Sequence, residues 1–343
     1  MSKVLVTGSQ GFIGSYVCAE LLNAGHTVIG VDNYSKYGMV KRDHDSNKNF
    51  TMYEADCTDA NSLTCLCDDA EYIIACAACI GGINYFHKYA FDLLADNEVI
   101  MANTFRYALY LFNRPDTKFK KIICMSSSMV FENVNKYPTP EDEIANCPPP
   151  TSTYGFQKLA VEYFCRGAWE QYKLPYSVVR PFNCIGVGEE DFFIPDGSNE
   201  LASHVLPDLV AKAIVAGPDG TIPIYGTGNQ IRCYTHGKDI AKGVRLIMES
   251  DKANGETYNI SAAQATSVVE LADVICNQLY GHPCNGFTHE SPFLFDVQKR
   301  VPDVSKAESE LGFKSEITLE DSVKEVIEWV KNHPRMRPYF QKK

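Results

Sequence analysis

No stretch of this chain approaches the roughly 20 consecutive apolar residues that a bilayer-spanning helix needs, so no segment reads as a membrane span. Positive charge is also scarce. Against 43 Asp and Glu stand only 32 Lys and Arg, and the formal net charge of -11 argues against nucleic acid or an anionic membrane as partner. Cysteines are plentiful at thirteen, but metal-site spacing is missing. Cys65-x-Cys67 is the closest pair and no second pair accompanies it, so no zinc or other metal is expected. Cys76, Cys79 and Cys124 fall where strands or core helices are expected and read as small buried thiols in a reducing compartment. The N-terminus enters an apolar strand at once and leaves no room for a signal peptide, which makes the cytoplasm the expected location. Internal repeats and low-complexity tracts are absent as well.

What is present is an apolar content of 45% in 343 residues, enough to fill one large core or two modest ones. The first half alternates short apolar strands with amphipathic helices, which predicts an α/β fold with a doubly wound parallel sheet. The strands expected are Val4 to Thr7, Thr27 to Val31, Phe50 to Glu54, Tyr72 to Ala75, Lys121 to Met125 and Tyr176 to Arg180. Prolines at Pro138 to Pro140 and Pro148 to Pro150 mark a surface loop. Beyond Pro181 the pattern turns irregular, with Gly186, Gly188, Pro195, Gly197, Gly217, Pro218 and Gly220 in quick succession. A Rossmann-type domain over 1–180, to which 225–260 return, and a smaller, mainly C-terminal substrate domain over 181–224 and 261–343 are expected.

Two constellations carry chemistry. In Lys3-Val4-Leu5-Val6-Thr7-Gly8-Ser9-Gln10-Gly11-Phe12-Ile13-Gly14 an apolar strand turns through three glycines into a helix. Such glycines permit unusual backbone angles, close approach of a pyrophosphate and tight helix packing, and the helix N-terminus offers free N–H groups to phosphate. Asp32 follows about twenty residues later, placed to accept both ribose hydroxyls of an adenosine and to repel a 2′-phosphate, which points to NAD rather than NADP. The second constellation is Tyr154 and Lys158, four residues apart in a segment that reads as helix and hence on one face. A free phenol ionises near pH ~10, so it becomes a base at neutral pH only beside a fixed cation, which Lys158 could supply. The same spacing also arises on ordinary solvated helix faces.

Together, Gly8, Gly11, Gly14, Asp32, Tyr154 and Lys158 resemble the extended short-chain dehydrogenase/reductase family, the nucleotide-sugar epimerases and dehydratases. The likeness runs from Lys3 to about Trp329, although the G-x-x-G-x-x-G spacing differs from that of ordinary dinucleotide dehydrogenases. It implies that Gln10, Phe12, Ile13, Asn33, Asp56, Cys57 and Ala77 join the cofactor site, with Asp56 at the adenine. Asn97 would fix backbone near the cofactor. Within Ser126-Ser127-Ser128-Met129-Val130-Phe131 the family pattern selects Ser127 as the catalytic hydroxyl, with Ser128 beside the substrate. Asn183 and Arg232 match the residues that hold the substrate diphosphate, and Arg300 and Asp303 lie in a matching stretch near the nucleotide-sugar pocket. His204 and Val205, in Ser203-His204-Val205-Leu206-Pro207, match the segment where GDP-fucose synthase carries a catalytic histidine, and Ala77 to Ile83 resembles a run of that subgroup. Relatives usually pair through two long helices, so a homodimer is expected, one helix being that of Tyr154.

The positions after Ser127 bear on the reaction. Dehydratases of the family carry Asp-Glu there and the decarboxylating synthases a Glu, whereas Ser128 and Met129 cannot exchange a proton near pH ~7. Members that shift configuration at carbons 3 and 5 place a Cys where Met129 stands. Phe131 and Glu132 replace the usual Tyr and Gly. The resemblance therefore implies an NAD-dependent epimerase acting at C4 of a UDP-hexose or UDP-hexuronate. A C4 oxidoreductase of a GDP-linked sugar and a non-catalytic NAD or nucleotide-sugar binding protein are the alternatives.

Overall fold

The computed structural model describes residues 1–64, 66–67, 69–81, 88–190, 204–292 and 296–340. Cys65, Gly82, Ile83, Pro195, Gly197 and Ser203 lie outside the described residues. Six strands, β1 (Lys3–Thr7), β2 (Thr27–Asp32), β3 (Phe50–Glu54), β4 (Tyr72–Ala75), β5 (Lys121–Met125) and β6 (Tyr176–Pro181), fall within one residue of the expected bounds. A seventh, Thr257–Ile260, completes a wholly parallel sheet in which it borders β6 and the order continues β5, β4, β1, β2, β3.

β1, β4 and β5 are near-continuous apolar runs because they are covered on both faces. Alternate side chains feed two different cores. Val4, Val6 and Ile74 pack with Val17 and Leu21 of helix α1 (Phe12–Asn23) and with Ile240 and Val244 of the helix Gly237–Glu249. Leu5, Ile73 and Ile122 pack with Ile100 and Phe105 of the helix Ala90–Phe112 and with Val161 and Cys165 of the helix Thr153–Tyr172. The period of two thus assigns each strand residue to one face of a doubly wound sheet.

A further core joins the helices Val205–Ala216, Val268–Tyr280 and Leu319–Asn332, through Leu209, Val210, Leu271, Ile275, Val323 and Val326. Beside it, Ile222–Tyr225 pairs in parallel with Phe287–Glu290. A three-stranded sheet places Ile231–Cys233 between Ala265–Ser267 and Lys299–Arg300. Not all of the C-terminal stretch joins that core, since Ala307 and Phe313 pack with the strands of the first. Chain order reverses between β1 and β4, where diverging loops leave a crevice at the strands' C-terminal ends.

Candidate active site

A cavity of about 1030 Å³ occupies that crevice and extends toward the helices Val205–Ala216 and Val268–Tyr280. Its floor is the turn after β1. Gly8 has φ +68, and a Cβ there would lie 2.7 Å from the Ala77 nitrogen; a Cβ on Gly14 would lie 1.9 Å from the Gly8 carbonyl oxygen. Only glycine lets α1 start this close to the strand end. Gly11 caps α1 without a side chain, so the first-turn N–H groups stand beside a cavity lined by Gly8, Gly11, Phe12, Ile13 and Gly14. The Asp32 carboxylate ends β2 on the rim, held by the Gln10 N–H at 2.9 Å and the Tyr34 N–H at 2.8 Å. Asn33, Asp56, Cys57 and Ala77 line the same end, and Asn33 Nδ2 donates to Asp56 Oδ2 at 3.1 Å.

Three expected residues stand outside the cavity wall. Gln10 turns its amide to Asp45 Oδ1 at 2.9 Å. Asn97 brackets Cys79, accepting from its N–H at 2.8 Å and donating to its carbonyl at 2.9 Å, and so holds the cavity-lining backbone from behind. Asp303 instead opens the helix Ser305–Leu311, its carboxylate accepting from the Ser305 N–H at 2.9 Å.

At the centre, the Tyr154 hydroxyl donates to Ser127 Oγ at 3.4 Å. The Ser127 Oγ also accepts the Met129 N–H at 3.1 Å, which fixes it at the end of β5. Lys158 Nζ donates to the Met125 carbonyl at 3.2 Å and lies 6.0 Å from the Tyr154 ring centroid. Burial pulls its pKa down to about 8. Burial likewise pushes the Tyr154 phenol above its ordinary value, with Ser127 and Arg300 acting in the opposite direction. The helix carrying both is capped by Ser152, whose Oγ accepts the Gly155 N–H at 3.0 Å. Glu132 Oε2 in turn accepts from the Ser152 N–H at 2.9 Å and its hydroxyl at 3.0 Å. The Glu132 that departs from the family pattern thus holds the cap of the Tyr154 helix.

On the far wall, Arg300 sits directly opposite Arg232 in the parallel register of their strands. Like charges so placed repel. Burial, and then Arg232, pull the Arg300 pKa down to about 9. Arg300 Nη1 donates to Ser128 Oγ at 3.3 Å, while its Nε is buried and has no hydrogen-bond partner among the described residues. Arg232 pairs with Asp296 at 3.3 Å. Asn183, at φ 37, donates to the Cys233 carbonyl at 3.2 Å and lines the cavity with Ser128, His204 and Val205. Glu189, Asp208, Lys212, Tyr225 and Asp296 also line it and were missed in the sequence. Lys212 and Asp208 form a 2.8 Å pair at helical i,i+4 spacing, a signal the sequence does contain. Glu189 and Asp296 sit in irregular segments with no periodicity to expose them.

The model of the NAD dependent epimerase/dehydratase family matches residues 4–261. The chain belongs to this family. It is 29% identical over 357 residues to the UDP-glucose 4-epimerase of Bifidobacterium longum, covering 97% of this chain and 98% of the relative. To the UDP-N-acetyl-alpha-D-glucosaminuronate decarboxylase of Bacillus cytotoxicus it is 28% identical over 336 residues, covering 95% and 97%. The UDP-glucose 4-epimerase of Thermotoga maritima, solved with UDP-glucose, superposes with a TM-score of 0.77 at 26% identity, covering 95% of this chain and 98% of that one. The protein is accordingly an NAD-dependent enzyme of the nucleotide-sugar epimerase/dehydratase type. Its own residues fit the cofactor, since the Gly8–Gly14 cradle admits backbone-close phosphates and the Asp32 oxygens retain lone pairs for a ribose diol. Among the described residues no helix is long and apolar enough to cross a membrane, and no cluster of three or more His, Cys, Asp or Glu is arranged to hold a metal ion.

Proposed function

We propose that this enzyme inverts the configuration at C4 of a UDP-linked hexose or hexuronate. The observation that carries the reading is the Tyr154, Ser127 and Lys158 cluster, followed by Ser128 and Met129 in place of an acidic pair. NAD, when bound, supplies the hydride acceptor and later the donor for the sugar carbon. Tyr154, as phenolate, takes the proton of the C4 hydroxyl, and Lys158 stabilises that phenolate from below the ring. Ser127 hydrogen-bonds the same oxygen as charge develops on it. Once the 4-keto sugar has turned over, Tyr154 returns the proton to the oxygen of the inverted carbon. Arg232, Arg300 and Asn183 hold the diphosphate throughout, so the sugar rotates on a fixed anchor and does not escape. The Arg232–Arg300 juxtaposition supports this role, because an anion between them relieves their repulsion.

His204 lines the cavity, and its Nδ1 is held by the buried Glu189 carboxylate. Burial alone would lower its pKa, but the adjoining Glu189 carboxylate prevails and raises it. That pair favours a second reading, in which His204 delivers a proton in a net C4 reduction, or takes one up in the C4 oxidation, of a GDP-linked sugar. The two readings separate by experiment. Purified enzyme is incubated without added cofactor with a panel of UDP- and GDP-sugars, and the ring protons are followed by NMR. A new epimer at constant NADH absorbance supports the epimerase. Stoichiometric cofactor reduction with a keto product supports the oxidoreductase.

We further propose a division into an NAD-binding unit over 1–180 with 225–260 and a substrate unit over 181–224 and 261–343, in a cytoplasmic homodimer. Exposed Phe91 and Tyr110 on one long helix, and Phe156 and Tyr163 along one face of its neighbour, offer apolar surface for pairing. Light scattering at micromolar concentration tests the dimer. A monomer there removes it.

A further inference from the structure

We infer that Cys276 and Cys284 form a reversible dithiol/disulfide couple that fixes one wall of the substrate cavity. Cys276 lies in the last turns of the helix Val268–Tyr280, and Gly281 ends that helix in the left-handed region with φ 82. The chain then doubles back, and the Cys284 N–H donates to Asp273 Oδ1 at 3.0 Å, one helical turn before Cys276. This places the two sulfurs 2.6 Å apart. Sulfur atoms in ordinary contact stay well beyond that, and a bonded pair needs about 2.05 Å, so little backbone movement separates the dithiol from the disulfide. The hydrogen bond between the two sulfurs lowers the Cys276 pKa and raises that of Cys284.

Accessibility singles this pair out. Cys124 and Cys165 also interact, yet both are fully buried beneath the sheet. Cys276 is buried as well, but Cys284 is partly exposed and can meet a soluble oxidant. With a glutathione-type disulfide, the Cys284 sulfur forms a mixed disulfide and releases one glutathione thiolate. The Cys276 thiolate then attacks the Cys284 sulfur and displaces the second. Two protein thiols are oxidised, one glutathione disulfide is reduced, and the two protein protons end on the two glutathione thiols that leave.

The consequence reaches the cavity through one strand. Cys284 precedes Phe287–Glu290, which pairs residue for residue with Ile222–Tyr225. Glu290, Pro223, Ile224 and Tyr225 line the cavity. Pinning Cys284 to the helix therefore removes freedom from the segment that leads into this wall, and a closed short loop restricts the unfolded chain too.

The full chain is equilibrated across a series of oxidised to reduced glutathione ratios, free thiols are blocked with N-ethylmaleimide, and peptides are mapped. Expected is a Cys276–Cys284 cross-link that appears and disappears at one midpoint ratio, with thermal midpoint raised by several degrees in the oxidised form. Amide exchange of Phe287–Glu290 slows about tenfold with oxidation. Cys284→Ser abolishes all three responses, and Cys276→Ser serves equally if that variant does not fold. Independent glutathionylation of both cysteines without a cross-link overturns the couple. A cross-link that leaves exchange of Phe287–Glu290 unchanged overturns its action on the wall.

Discussion

Glu162 grips the Arg180 guanidinium along one edge, Nε to Oε1 and Nη2 to Oε2 both at 2.8 Å, with each side chain 1% exposed. The pair joins the Tyr154 helix to β6. Glu162 Oε1 also accepts the Ser126 hydroxyl at 2.8 Å, next to Ser127, and Arg180 packs over the Phe131 ring at 4.7 Å. Four residues on from Lys158, Glu162 therefore ties together the β5 end and the helix that carry both halves of the proposed reacting centre. Replacing it with Ala leaves a buried guanidinium unpaired and is expected to cost about 3–5 kcal/mol, read from the urea midpoint. An unchanged midpoint would remove the pair from the framework of the site.

Tyr154→Phe deletes the hydroxyl that reaches Ser127 while preserving the buried ring. Turnover is expected to fall by at least about a hundredfold, the usual scale for a lost general acid/base. Bound NAD should persist, measured by release on denaturation. Undiminished turnover would sink the proposed proton transfer.

Asp32→Ala removes the carboxylate on the cavity rim that we propose receives the adenosine ribose. A charged hydrogen bond contributes about 1.5–3 kcal/mol, so NAD affinity should weaken roughly 10- to 150-fold by fluorescence titration. NADP, no longer repelled, should gain relative to NAD. Equal affinity for NAD in both proteins would move the ribose elsewhere.

Lys121 gives a pH prediction that does not touch catalysis. Its ammonium donates to the Ile247 and Ser250 carbonyls at 2.8 Å each, where the helix Gly237–Glu249 ends, and burial pulls its pKa down from 10.5 to about 8. Between those values the unfolded chain holds a proton that the folded chain has lost, so this group's contribution to stability rises as pH rises from 8 to 10.5. Thermal midpoints of the wild type should therefore improve relative to Lys121→Met over that interval. A flat difference would place the folded pKa near its ordinary value.

His204 should titrate in the opposite sense. The neighbouring Glu189 carboxylate raises its pKa above 6.5 against the effect of burial, so the pair stabilises the fold fully below the unfolded value. That contribution fades as pH rises through the folded value. In Glu189→Gln the imidazole NMR midpoint should drop. No change would show that another group sets the His204 charge.

The sequence by itself determined the sheet and the glycine turn that opens the cavity. Strand periodicity, the glycine turn of Gly8 to Gly14 and Asp32 are local signals, because backbone geometry and alternation are properties of neighbouring residues. Tyr154 and Lys158 were legible for the same reason, being one helical turn apart. The seventh strand, Thr257–Ile260, was not located, since four residues are too short a run to announce a strand and acquire their place only from β6. Nor could spacing reveal that Arg232 faces Arg300, that Asp296 pairs with Arg232, or that Glu189 holds His204. Those partners stand 64 to 68 residues apart in the arginine cluster and 15 apart at the histidine, and only the tertiary packing around the helix Val205–Ala216 and the three-stranded sheet brings them together. Asp303 shows the converse: a residue inside a matching string was turned by tertiary structure into a helix start, outside the cavity that its neighbour Arg300 lines.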